Sequence, residues 1–235
     1  MAPTLKSQHT VKAFSEELEQ LGADVASMGG LAESLVSDSL DAITTRDPGL
    51  ADEVVERDRR VDQMQRDIER QVIRLFALRQ PMAADLRATI AALKITADLE
   101  RVGDLAKNIA RRTNEIAALE PMALISSVER MGRLVQGNLH QVLDAYISGE
   151  TSNAVSVWER DDDVDEHYNA LFRELINTMT EDRDLIGPGA HLLFVAKNLE
   201  RIGDHTTNIA EVIHYLVTGV ELTRDRPRGG AIETS

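Results

Sequence analysis

The sequence contains no cysteine, which excludes disulfides, thiolate metal sites and cysteine-based redox chemistry. Any bound metal ion must therefore be held by oxygen or imidazole ligands. Aromatic residues make up only 3% of the chain, too few for the stacking platforms that bind single-stranded nucleic acids. Basic residues are outnumbered by 40 to 26, and the net charge of -14 repels phosphate backbones and anionic lipid headgroups. Cations and basic protein surfaces are the expected partners.

The chain also lacks long apolar runs. No run approaches the roughly 20 residues that a membrane-spanning helix needs, and the first residues, MAPTLKSQHTVKAF, lack the apolar core of a secretion signal. We therefore expect a soluble, cytoplasmic protein. The residues that dominate instead are Ala, Leu, Val, Ile, Glu, Asp and Arg, and this composition favours helices over strands. We predict an all-α fold.

Turn signals divide the chain into six segments. Proline stands near a helix start in RDPGL (46–50), RQPM (79–82) and LEPM (119–122), and SGETSN (148–153) and LIGPGA (185–190) mark two further joints. The lengths of the segments predict a bundle of long antiparallel helices. The predicted helices are 10–45, 49–78, 82–117, 122–148, 152–181 and 189–218.

The six segments form an internal repeat. LERVGDLAKNIA, which begins at Leu99, matches LERIGDHTTNIA, which begins at Leu199, at eight of twelve positions. Shifted by 103 positions, the segment from Met28 also lies over the segment from Met131. A three-helix unit that occurs twice in the sequence predicts two tandem three-helix bundles. Their predicted bounds are 1–119 and 120–222, followed by a disordered tail over 223–235.

Pairs of carboxylates recur in both repeats. Glu100 and Asp104, like Glu200 and Asp204, are four residues apart and lie on one flank of an apolar helical seam, where like charges repel each other. With 40 acidic residues, chance gives about seven such pairs, so one pair means little, whereas four pairs in duplicated places are unexpected. The two further pairs, on the preceding helix of each repeat, are Asp58 with Asp62 and Asp161 with Asp165.

Each repeat thus offers two carboxylates from each of two neighbouring helices. Up to eight oxygens suit a hard or borderline cation such as Fe, Mn, Mg or Zn, and more than one ion per site. Gly103 and Gly203 accompany the carboxylates although a mid-helix glycine costs about 1 kcal/mol relative to alanine, which indicates that something needs room or close approach there. A competing interpretation is a metal-free network of ion pairs with arginines. These are Arg57, Arg101, Arg160 and Arg201.

These segments resemble the PhoU family, accessory regulators of bacterial phosphate uptake, over residues 10–220. The family's E(D)xxxD motif is met by all four carboxylate pairs named above. The resemblance implies multinuclear metal clusters, usually iron or zinc, on the bundle surface. It also implies a non-enzymatic negative regulator that links a phosphate ABC transporter to a sensor histidine kinase. Such a regulator is expected in the cytoplasm, where it reaches the inner membrane only through these partners. We also expect a homodimer.

Two alternatives stay open from the residues alone. A ferritin-like di-metal carboxylate enzyme would draw on two Glu-x-x-His motifs, but only Glu211 with His214 fits, and its repeat counterpart is Arg111 with Asn114. A metal-free helical scaffold is the other alternative. The repeats differ beside the motifs, with Asp98 against Asn198 and Leu105 against His205, so the two sites are expected to differ in metal preference or occupancy.

Overall fold

A computed structural model of the chain describes residues 5–79, 81–119 and 124–222, with the backbone alone for 5–13. Within these ranges the secondary structure is helical and contains no strand, which confirms the all-α prediction. In this part of the chain, no helix is long and apolar enough to cross a membrane. The helices are α1 (Leu5–Thr45), α2 (Pro48–Arg79), α3 (Ala84–Ile116), α4 (Ile125–Ser148), α5 (Ser152–Glu159), α6 (Asp161–Glu181) and α7 (Ile186–Thr218), with a 3-10 helix at Arg183–Leu185.

The fifth predicted helix is two helices, so its prediction as one continuous helix was wrong. The break falls at Arg160, whose φ of -104° and ψ of 21° leave the helical region. The new helix α6 then begins with Asp161, Asp162 and Asp163 in its first turn. Three adjacent carboxylates are favourable at a helix N-terminus, where the backbone dipole is positive. The equivalent stretch of α2 has arginines after Asp58 and runs on unbroken.

Smaller differences concern the helix ends. Helix α1 begins at Leu5 instead of residue 10. Helix α7 begins at Ile186, so Pro188 lies in its first turn, where the missing N–H breaks no intrahelical hydrogen bond. The predicted bundle boundary at 119/120 adjoins residues 120–123, and the predicted tail covers 223–235; both ranges lie outside the described residues.

The predicted seams form the core of each repeat. Helices α1, α2 and α3 contact one another, and α4, α5 and α6 pack with α7. Short turns between consecutive long helices make neighbours in sequence antiparallel. The seam residues of α3 and α7 are fully buried. They are Ile95, Leu99, Val102, Ala106 and Ile109, and Val195, Leu199, Ile202, Thr206 and Ile209.

The two repeats pack on each other through equivalent helices. Helix α1 contacts α4, α3 contacts α7, and one continuous hydrophobic core runs through both repeats. Gly29 of α1 faces Leu143 of α4, and the equivalent Gly132 of α4 faces Leu40 of α1. These reciprocal contacts make α1 and α4 antiparallel and relate the repeats by a pseudo-twofold axis.

Candidate metal centres

The first carboxylate cluster lies between α2 and α3. It consists of Asp58 and Asp62 on α2 and Glu100 and Asp104 on α3. Burial raises the pKa of Glu100, and the charges of Asp104, Asp62 and Asp58 raise it further. Mutual repulsion of this kind requires the four side chains to be near one another. The structure therefore brings together the four residues that the sequence selects in the first repeat.

Lys107 of α3 is the counter-charge of this cluster, and the sequence reasoning missed it. Its Nζ donates to Asp58 Oδ2 at 2.5 Å and to Asp104 Oδ1, which joins α2 to α3. The Lys107 side chain is 17% exposed and that of Asp58 only 3%. Burial raises the pKa of Asp58, and the Lys107 hydrogen bond opposes that rise without cancelling it. The position of Lys107, three residues after Asp104 and so on the same flank of α3, was the signal available in the sequence.

The second cluster lies in the equivalent place between α6 and α7. Asp161 and Asp165 come from α6, and Glu200 and Asp204 from α7. Burial raises the pKa of Asp165, followed in size by the charges of Glu200, Asp161 and Asp204. These four predicted residues are therefore also brought together.

The polar groups around the second cluster differ from those around the first. Thr207 stands where the first repeat has Lys107, and its hydroxyl donates to Asp161 Oδ1 at 2.6 Å. Lys197 pairs with Glu200 at 2.7 Å from the solvent side, with half of its side chain exposed. The cation beside Glu200 thus lies at the rim of the cluster and on the same helix, whereas Lys107 lies inside the first cluster.

The two glycines beside the clusters mark close helix approaches, as the sequence indicates. A Cβ on Gly103 would lie 3.1 Å from Asp58 Oδ1 and 3.3 Å from Val61 Cγ1. A Cβ on Gly203 would lie 3.1 Å from Val164 Cγ1. Glycine therefore lets α2 approach α3, and α6 approach α7, at the level of the carboxylates.

Two of the four arginines in the alternative network contact side chains outside the clusters. Arg57 pairs with Asp38 of α1, because consecutive residues on a helix point about 100° apart and Arg57 faces away from Asp58. Arg160 lies at the helix break and donates to Gln141. Arg101 lies 3.5 Å from Glu100 and is largely exposed, and Arg201 is exposed.

Asp98 and His205, which both differ from their counterparts in the other repeat, contact each other. His205 Nδ1 of α7 lies 2.8 Å from Asp98 Oδ1 of α3, with both side chains mostly buried. Asn208 Nδ2 lies 3.5 Å from the same oxygen. These two differences thus form a contact between the repeats, and the expected difference in metal preference between the two sites stays a prediction. The two residues of the single Glu-x-x-His match contact other partners: Glu211 accepts a hydrogen bond from Trp158, and the His214 ring contacts the Val220 carbonyl.

The donor set of both clusters fits a cation. Asp58 Oδ1 in the first cluster and Glu200 Oε2 in the second are buried oxygens without a hydrogen-bond partner. An unpaired buried carboxylate oxygen is costly, and a cation offsets that cost. The side chains are gathered but do not stand in a finished coordination shell: across the described ranges, no three His, Asp or Glu residues are placed to hold one ion. The side chains would have to rearrange to complete such a shell.

Duplicated helical bundles with carboxylate-lined flanks define the class of this molecule, and comparison with known families agrees. The PhoU domain matches twice, at residues 25–113 and 128–213. The chain belongs to the PhoU domain family. A protein of Caulobacter vibrioides named phosphate-specific transport system accessory protein PhoU homolog is 57% identical over 94% of this chain and 97% of its own length. The protein of the same name from Rhizobium meliloti is 45% identical over 96% of both chains.

Solved structures share the same fold. The crystal structure of PhoU from Pseudomonas aeruginosa matches with a TM-score of 0.85 and 39% identity, over 88% of this chain and 100% of that chain. The phosphate transport system regulatory protein PhoU from Streptococcus pneumoniae matches with a TM-score of 0.83 and 30% identity, over 90% of this chain and 100% of that chain. The all-α architecture with two PhoU repeats is therefore that of the family.

Proposed function

We propose that this protein is a non-enzymatic accessory regulator of a phosphate-specific transport system, which represses phosphate uptake and phosphate-starvation signalling when phosphate is plentiful. The observation that supports this most is the near full-length identity of 57% with the Caulobacter vibrioides accessory protein. Both repeats and the segment between them are included in that match, so the likeness extends beyond a single shared domain.

The regulator would act by joining two partners, the ABC transporter for phosphate and a sensor histidine kinase. A surface of net charge -14 favours basic patches on partner proteins over anionic lipids. The long rigid helices offer extended faces for such contacts. The expected homodimer stays a prediction, which light scattering on the purified protein checks.

Metal ions at the two clusters are part of the proposal. Asp58, Asp62, Glu100 and Asp104 would hold ions in the first repeat, and Asp161, Asp165, Glu200 and Asp204 in the second. The donors are carboxylate oxygens, which suit iron, zinc, manganese or magnesium. A bound ion supplies positive charge that offsets the repulsion between these carboxylates. The neighbouring helices of each repeat are then fixed relative to each other, and with them the faces on which partners dock.

The regulatory role is tested in a bacterium whose own accessory protein has been deleted. We expect the wild-type chain to restore repression of a phosphate-starvation reporter in phosphate-rich medium. Purified chain should also bind the cytoplasmic part of the kinase and the ATP-binding subunit of the transporter in a biosensor assay. Failure of both complementation and binding would contradict the proposed role.

Elemental analysis of tag-free protein tests the metal sites. We expect transition metal near or above one ion per chain, lost in the variant that carries Glu100→Gln, Asp104→Asn, Glu200→Gln and Asp204→Asn. The matched control changes two exposed acidic residues outside the clusters, Glu56→Gln and Asp67→Asn. Equal trace metal in all three proteins would contradict metal binding and leave the regulatory role untouched.

A further inference from the structure

One position inside the clusters carries a different charge in the two repeats. Lys107 and Thr207 are equivalent, since each stands eight residues after the leucine that opens the repeated segment. Lys107 Nζ contacts Asp58 Oδ2 at 2.5 Å, and Thr207 Oγ1 contacts the equivalent Asp161 Oδ1 at 2.6 Å. The two side chains thus contact equivalent carboxylates from equivalent positions. Lys107 does so with an ammonium group and Thr207 with a neutral hydroxyl.

The Lys107 ammonium already does in the first cluster what a metal ion would do there. It binds carboxylates of α2 and α3 at once, in a largely buried position. A metal ion that uses Asp58 and Asp104 must displace this ammonium or lie beside it, and two cations a few ångströms apart repel strongly in a partly buried site. Asp58 cannot turn away from the contact cheaply, since only 3% of its side chain is exposed.

Thr207 imposes no such charge at the equivalent place. Its hydroxyl oxygen also lies 3.2 Å from the Gly203 carbonyl oxygen, so its single proton can turn to that acceptor when Asp161 is released. The lysine near the second cluster, Lys197, has half of its side chain exposed and contacts Glu200 on its own helix. It can move into solvent at little cost.

We propose that Lys107 is a built-in counter-ion that competes with metal ions for the first cluster, and that the lysine-to-threonine difference at positions 107 and 207 makes the two clusters unequal in metal affinity. This inference rests on the proposed metal binding. It assigns to Lys107 a role that is specific to this residue: holding α2 and α3 together in the absence of metal while weakening metal binding there.

The test uses the full chain, stripped with a chelator and titrated with Mn²⁺, whose free form is counted by electron paramagnetic resonance. Glu200→Gln with Asp204→Asn leaves the first cluster alone; Glu100→Gln with Asp104→Asn leaves the second. Adding Lys107→Thr to the first background should lower the Kd for Mn²⁺ by about tenfold or more, because removing one nearby charge exceeds the free energy of a tenfold step. Adding Thr207→Lys to the second background should raise the Kd by a similar factor.

Lys197→Thr in the second background is the matched control, and we expect a change of less than about threefold, as is usual for an exposed ion pair. Circular dichroism establishes that each variant is folded; if Lys107→Thr is not, Thr207→Lys decides alone. Mn²⁺ binding in both backgrounds with changes below threefold for both exchanges would overturn the inference while metal binding stands. No Mn²⁺ or Zn²⁺ binding in either background or in the stripped wild type would overturn both.

Discussion

The contact between α1 and α4 can be tested by adding one methyl group at Gly29. A Cβ built there lies 2.4 Å from Cδ2 of Leu143, far inside van der Waals contact. Gly30, the next residue of the same helix, is exposed and has nothing within 4 Å of the same Cβ. Gly29→Ala and Gly30→Ala therefore add the same group to the same helix, one against α4 and the other toward solvent.

Two effects determine how far the free energies of unfolding of these two variants differ. Both variants gain helix propensity, worth about 1 kcal/mol for glycine to alanine, so Gly30→Ala is expected to be stabilised by up to that amount. At Gly29 the side chain of Leu143, which is only 5% exposed, must move within a packed core, and overpacking of this kind costs about 1–3 kcal/mol. Gly29→Ala should therefore have a free energy of unfolding about 1–3 kcal/mol below that of Gly30→Ala.

Urea unfolding followed by circular dichroism measures this difference, and thermal unfolding should show it as a shift of about 2–4 °C per kcal/mol. The repeat supplies a second test. A Cβ on Gly132 would lie 2.4 Å from Leu40 Cδ2, whereas Gly137 on the same helix has nothing within 4 Å. If Gly29→Ala proved as stable as Gly30→Ala, and Gly132→Ala as stable as Gly137→Ala, the reciprocal packing of α1 and α4 would be refuted.

Three further predictions concern the charged groups. Lys107→Met leaves the buried Asp58 without its ammonium partner and should lower the free energy of unfolding of metal-free protein by about 3 kcal/mol; urea unfolding should show a smaller loss when Asp58→Asn is added. The folded-state pKa of Asp165 is raised by burial and by neighbouring carboxylates, so its contribution to stability is present at low pH and lost as the pH rises through that pKa. Asp165→Asn should therefore raise the melting temperature of chelator-treated protein at pH 7 and give no advantage once the pH falls below the ordinary carboxyl range. Asp98→Leu and His205→Leu should each cost about 1–2 kcal/mol, because each removes one partner of a mostly buried hydrogen bond, and a double-mutant cycle should find that the double variant costs less than the sum.

The helices and their seams could be predicted because burial follows local spacing. Leu99 and Val102 stand three residues apart in an apolar row, and such a row must face the core whatever the helix packs against. The break at Arg160 could not be read in the same way, because the local pattern matches that of the unbroken α2. Only the run of three aspartates after it, which is favourable at a helix start, distinguishes the two repeats there.

The packing between the repeats could not be predicted from the sequence either, for a different reason. Gly29 and Gly132 weaken a helix by intrinsic propensity, and nothing local says that a leucine from a distant segment fills each space. Such contacts join residues 114 and 92 positions apart, and no periodicity within one helix encodes them.

The carboxylates of the candidate site could be located because a spacing of four puts them on one helix flank, and the duplication selected four pairs from many. Their counter-charges could not be assigned from spacing alone. The competing interpretation named four arginines, yet Arg57 binds Asp38 of α1 and Lys107 lies inside the first cluster. A carboxylate has several basic neighbours in sequence, and the rotation of the helix decides which of them reaches it.

Helices α3 and α7 each have three contact faces, so the same helix carries part of a carboxylate cluster and part of the contact between the repeats. The seam faces the core, Glu200 and Asp204 face α6, and His205, one residue further along α7, faces Asp98 of α3. If ions bind as proposed, an ion that draws α6 toward α7 acts on the same helix that carries the contact between the repeats.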